Sequence, residues 1–154
     1  ADAYRWKKMN PAAQRVILLC LFLGILVACS SSTEEDEIAR DQKYYFLESL
    51  KQVEAGGRQL QTPGLAQAEL VQALTMLDQG LKLAFQVERK FLDELDLRLG
   101  KNFQRYFVKG VENYRLGIEA ADQAQQQEGL KLLARWAEFW NAERESIEAR
   151  LNPG

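Results

Sequence analysis

Seven apolar residues, Leu70, Leu74, Leu77, Leu81, Ala84, Phe91 and Leu95, recur at alternating spacings of four and three, interrupted once at Glu88. An α-helix brings such positions onto one face, whereas a strand would scatter them over two. Leu83, Val87 and Leu92 widen the stripe. Read without a break from about residue 65 to 98, the pattern predicts a helix roughly 50 Å long. Leu99-Gly100 then supplies a glycine stop. Strand signals are nearly absent, with few β-branched residues, no alternating runs and no Asn-Gly turn. Good helix formers (Ala, Leu, Gln, Glu, Lys and Arg) dominate instead.

Three other segments carry the same periodicity. Thr33-Glu34-Glu35-Asp36 resembles a capping box and predicts a helix start near Thr33, with Phe46, Leu50, Val53 and Leu60 on its apolar side. Gly56-Gly57 weakens or ends that helix. Thr62-Pro63-Gly64 is a clear break, and Thr62 as cap with Pro63 at the first helical position would begin the next helix. A third helix starts near Asn102 and buries Phe103, Phe107, Val111, Tyr114, Ile118 and Ala121. Gly110 and Gly117 flank this stripe and would let a neighbouring helix approach closely. The polar run at 122–129 predicts a short break, because an unbroken helix of nearly fifty residues is unusual in a compact domain. Leu130, Leu133, Trp136, Trp140, Ile147 and Leu151 mark the fourth helix, ended by Asn152-Pro153-Gly154. The expectation is an all-α fold, an antiparallel up-and-down four-helix bundle over residues 37–152. The alternative is a three-helix bundle with a long last helix.

The N-terminal part reads differently. Val16–Ala28 runs thirteen residues without a charge, after Arg15. Such a helix spans about 20 Å, short of the ~30 Å hydrocarbon core, and has the length of a secretory signal. It ends in Leu26-Val27-Ala28-Cys29. This tetrapeptide resembles the lipobox of bacterial lipoproteins, in which signal peptidase II cuts before a lipid-bearing cysteine. The resemblance covers residues 9–29. It implies a signal peptide over 9–28, recognition through Leu26, Val27 and Ala28, and a diacylglyceryl thioether on Cys29. Ser30, where an aspartate commonly signals inner-membrane retention, implies the outer membrane facing the periplasm in a Gram-negative cell. The competing expectation is an inner-membrane single-pass anchor. Residues 1–8 precede Met9, the natural start, as an extension of doubtful status. Residues 29–36 are expected to form a tether, and Cys20 would leave with the signal.

Charge and chemistry narrow the function. Residues 29–154 carry 16 basic and 21 acidic side chains, a net charge of −5, which argues against general nucleic-acid binding. The chain has no His, so no imidazole base, His-ligated zinc or haem, or Glu-x-x-His di-iron site can form from it. Carboxylate pairs such as Asp93/Asp96 have the look of solvated surface charge, so no enzyme activity, no metal and no cofactor beyond the lipid on Cys29 are expected. Two features suit a partner. Lys101, Arg105 and Lys109 follow at steps of four and would line one helix face, suited to an acidic partner or anionic head groups. Tyr44-Tyr45-Phe46 and Trp136, Phe139 and Trp140 cannot all point inward, since consecutive helical residues diverge by about 100°. Tyr44, Tyr45, Trp136, Phe139 and Trp140 are therefore the candidate aromatic anchors. The expected role is a membrane-tethered adaptor or assembly factor that binds an envelope protein. The alternative is a carrier or sensor that holds a small apolar ligand within the bundle.

Overall fold

The computed structural model describes residues 31–153, with side chains from residue 33 onward. Leu26, Val27, Ala28 and Cys29, with the rest of residues 1–30, lie outside the described residues. Contacts divide the chain between Ala39 and Arg40, and the unit from Arg40 onward is an all-α helical bundle. The elements of the described residues are α1 (Ser31–Leu60), α2 (Gln67–Ala84), α3 (Arg89–Leu95), α4 (Leu99–Asn102), a π-helical segment π1 (Phe103–Val108), α5 (Lys109–Glu119) and α6 (Gln123–Leu151). Because α4, π1 and α5 follow without a break, the bundle has four long helical runs and one short helix, α3, at a corner. There is no strand among the described residues.

The long runs alternate in direction. A Cβ built on Gly80 would meet Ser49 and Val53, and one on Gly56 would meet Ala73 and Leu77, so α2 descends along α1. Gly110 faces Leu133 while Gly117 faces Gln126, so α6 is antiparallel to α5. At the other seam of α6, Lys43 donates to Asn152 Oδ1 at 2.7 Å and Phe46 meets Trp140 at 5.8 Å, so α6 also descends along α1. The interior is filled by Phe46, Leu77, Leu92, Leu99, Phe103, Phe107, Val111, Trp136 and Ile147. All of these except Leu99, which was read as part of a helix stop, are residues at which the helical periodicity places the core.

Six boundaries differ from the sequence-based expectations, one being that Leu99-Gly100 does not stop a helix but opens the run expected from Asn102, with Gly100 packed on the Arg89 and Asp93 side chains. The stretch 33–36, counted in the tether although a helix start was expected near Thr33, belongs to α1, with Glu34 in its first turn, where an acid is favoured by the helix dipole. Gly56-Gly57 does not end α1, because Gly56 is where the backbone of α2 crosses. The turn after α1 sets Gly64 at φ +70°, so α2 starts at Gln67, where the Glu69 carboxylate accepts from the Ala66 N–H at 2.8 Å, rather than at Pro63. The expected helix over 65–98 is split into α2, α3 and a turn. Glu88 and Asp96 are extended (ψ 134° and 132°), which brings Leu92, Leu95 and Leu99 back under the bundle. Finally, the break expected over 122–129 falls at Ala120–Asp122, and the glutamines after it form the first turns of α6.

Candidate interaction surface

Of the aromatic candidates, Trp136 lies within the core. It is 6% exposed, stacks on Trp140 at 5.6 Å with an interplanar angle of 16°, and meets Phe103, Phe107 and Phe139 within 5.8 Å. It is not a surface anchor, and this corrects the sequence-based assignment. A bundle this narrow needs a wide inward face on α6, and the large rings supply it. Phe139 and Trp140 are half-buried on the margin of that cluster. Tyr45 is half-buried, whereas Tyr44 is 57% exposed, with the two rings edge-on at 5.8 Å. Leu50, Val53, Phe107, Leu133, Trp136 and Trp140 line an open groove of about 230 Å³ between α1 and α6, with Glu54 and Asn141 also lining it.

The basic row runs through π1. A stripe built on steps of four, Phe103–Phe107–Val111, drifts by about 40° per step on a regular α-helix. One wider π turn takes up that drift and keeps Phe103, Phe107, Val108 and Val111 inside. Lys101, Arg105 and Lys109 stay outside. They are not equivalent. Lys109 bonds Glu112 at 2.7 Å. Lys101 and Arg105 form no ion pair among the described residues. The Arg105 guanidinium lies 5.5 Å from the centroid of the Tyr106 ring. Arg135 of α6, which the sequence alone did not single out, lies 5.9 Å from the same ring and also lacks an ion pair among the described residues. Its link to the row is a contact between elements about thirty residues apart, which no helical spacing encodes.

Several other charges are paired locally, although Asp93 Oδ1 and Arg115 Nε are buried without a hydrogen-bond partner among the described residues. Arg98, beside the row, bridges Asp96 at 3.4 Å and Glu143 at 2.7 Å, and these carboxylates hold its pKa above the usual value. Asp93 pairs with Arg89 at 3.1 Å. Burial opposes ionisation of Asp96, but hydrogen bonds from the Arg98 backbone N–H and guanidinium, with the charges of Arg98 and Arg150, outweigh it and hold the carboxyl below its ordinary range. Desolvation raises the Tyr114 phenol above its usual pKa. Among the described residues no group of three or more His, Cys, Asp or Glu side chains is placed to hold a metal ion. Among them, too, no helix is long and apolar enough to cross a membrane.

No protein family, curated protein or solved structure matches the chain.

Proposed function

We propose that the protein is a lipid-anchored helical adaptor of a bacterial envelope. On this reading Cys29 carries the lipid, and the bundle binds another envelope protein through its surface. The N-terminal half of the reading rests on Leu26-Val27-Ala28-Cys29 and the apolar run before it. Two or more acyl chains on one residue hold a protein at a membrane, where a single chain is marginal. Tethering raises the local concentration, so a weak interface is occupied there.

The observation that carries the binding half is the placement of the rings. Phe46, Phe103, Phe107 and Trp136 fill the middle of the bundle, while Tyr44, Arg105 and Arg135 remain outside and free of acidic partners. This favours a surface partner over a ligand held inside. The test is the intact mass of the protein extracted from membranes, beside the Cys29→Ala variant. A chain beginning at Cys29 with added lipid mass, lost in the variant, is expected. A chain that begins upstream of Cys29 with no lipid overturns the reading. For the adaptor role, crosslinking in intact cells is expected to give a discrete heavier species that Cys29→Ala diminishes. A band that remains monomeric speaks against it.

A further inference from the structure

We infer that Arg105, Arg135 and Tyr106 form a receptor for carboxylates on an acidic segment of a partner protein. This rests on the adaptor reading and names the partner chemistry of that surface. Arg105 comes from π1 and Arg135 from α6, and their guanidinium carbons lie 5.5 and 5.9 Å from the one Tyr106 ring. A guanidinium held against a ring keeps its N–H groups free in its own plane, which suits them to grip a carboxylate in a two-pronged bond. Neither arginine forms an ion pair among the described residues, nor does Lys101, exposed one turn before Arg105. Many other described cations are already matched, as Lys109 is by Glu112, Arg98 by Glu143 and Arg115 by Glu119. On a unit with 16 basic and 17 acidic side chains, this leaves these three exposed cations without an ion-pair partner among the described residues.

The same charges fit a membrane less well. Recruitment to anionic lipid by charge draws on clusters of about four to eight basic residues. Here four basic residues, Lys101, Arg105, Lys109 and Arg135, are exposed, the low end of that range, and Lys109 is already paired with Glu112. Arg and Tyr together are, by contrast, the residues that dominate protein interfaces.

The test uses the full-length chain in detergent and a fluorescent peptide of ten glutamates. Binding is expected to weaken about tenfold in the double variant R105Q/R135Q. It should weaken less in R105K/R135K, which keeps the charge and loses the planar fork. Tyr106→Leu should weaken it, and Tyr106→Phe should not. Lys90→Gln, a site already paired with Glu94 at 3.8 Å, is expected to bind as the parent does. Circular dichroism checks that each variant is folded, and these side chains are on the surface or its margin. Equal binding by parent and R105Q/R135Q overturns the inference, and so does a parent that ignores the peptide. Arginine-dependent binding to vesicles of phosphatidylglycerol and phosphatidylcholine, with none to the peptide, would reassign the site to lipid. The mass of Cys29 decides the lipoprotein reading separately, so the two failures are distinguishable.

Discussion

Gly129 of α6 packs directly on the backbone of Gly110 in α5: a Cβ at residue 129 would lie 2.8 Å from the Gly110 carbonyl oxygen. A Cβ at Gly110 would in turn lie 3.1 Å from the backbone nitrogen of Leu133, and one at Gly117 2.5 Å from that of Gln126. At residue 129 the α5–α6 hairpin is thus closed by main chain against main chain, with no flexible side chain between to give way, whereas at 110 and 117 side-chain carbons of Leu133 and Gln126 also stand close.

Substitution at this contact should therefore be costly. Gly129→Ala is expected to lower stability by about 1–3 kcal/mol, the usual penalty for an overpacked site. Gly57→Ala is the control, because a Cβ there meets nothing within 4 Å and the residue lies inside α1. Its higher helix propensity should stabilise by about 0.5–1 kcal/mol. Thermal and urea unfolding of the two variants should move in opposite directions, and a common direction would refute the account.

The link between α5 and α6 makes a second pair of predictions. Ala121 sits at φ +52°, and the Asp122 N–H reaches back to the Gly117 carbonyl at 2.8 Å, the hydrogen bond of a Schellman ending. A non-glycine residue is strained there. Ala121→Gly should accordingly stabilise by about 1 kcal/mol, although glycine is the more flexible residue in the unfolded chain. Asp122 caps α6 by accepting from the Gln125 N–H at 3.1 Å, so Asp122→Ala should cost about 1 kcal/mol. Urea midpoints report both.

At the other end of the bundle, one buried amide holds the corner between α2 and α3. Gln42 is 7% exposed, donates to the Gln86 carbonyl at 3.2 Å and accepts from the Glu88 N–H at 2.6 Å. Replacing it leaves two partly buried backbone groups without partners. Gln42→Leu should cost about 1–3 kcal/mol. Hydrogen exchange at the Glu88 amide should quicken more than at amides in the middle of α2. Uniform quickening would mean that the clamp is not local.

These cases show what the sequence encodes and what it hides. The inward stripes of α2, π1, α5 and α6 were legible because Leu77, Leu81, Phe103, Phe107 and Trp136 recur at helical spacing whatever they pack against. The glycine pair Gly110/Gly117 was legible too, since small residues at a fixed interval on a helix flank mark a close approach. The corner at Glu88 was not, because it depends on Gln42, more than forty residues away. Nor was Arg135, whose meaning arises only when α6 is laid beside Tyr106. Trp136, Phe139 and Trp140 were legible as a group, but which of them faces inward depends on the width of the bundle at that level.

Two carboxylates should make stability pH-dependent on the acid side. The Glu48 carboxyl is held below its ordinary pKa, first by the Gln52 amide at 2.8 Å, with burial opposing and Lys51 adding at 3.2 Å. Asp96 is also held low, with burial overcome by its bonds to Arg98. A carboxyl with a lowered folded-state pKa contributes stability above its unfolded pKa, and that contribution is lost as pH falls through the folded value. The loss therefore belongs below about pH 4, where unfolded carboxyls protonate. Neutral-pH stability should be flat with respect to both groups. Asp96→Asn is expected to flatten the acid limb of a plot of unfolding midpoint against pH. An unchanged limb would remove Asp96 from its origin.

The division between core and surface aromatics gives the sharpest contrast. Trp136 is buried against Phe103, Phe107, Phe139 and Trp140, so Trp136→Ala removes a large ring from a packed cluster. The expected cost is about 3–5 kcal/mol, the range for deleting a buried aromatic side chain. Trp140 is half-buried at the groove margin, and its replacement by alanine should cost less. Tyr44 is 57% exposed, so Tyr44→Ala should stay within about 0.5 kcal/mol of the parent. Should Tyr44→Ala nonetheless lower the yield of the heavier crosslinked species expected of the proposed adaptor while its unfolding midpoint is unchanged, the exposed ring is used for binding. If yield and midpoint fall together, its role is structural.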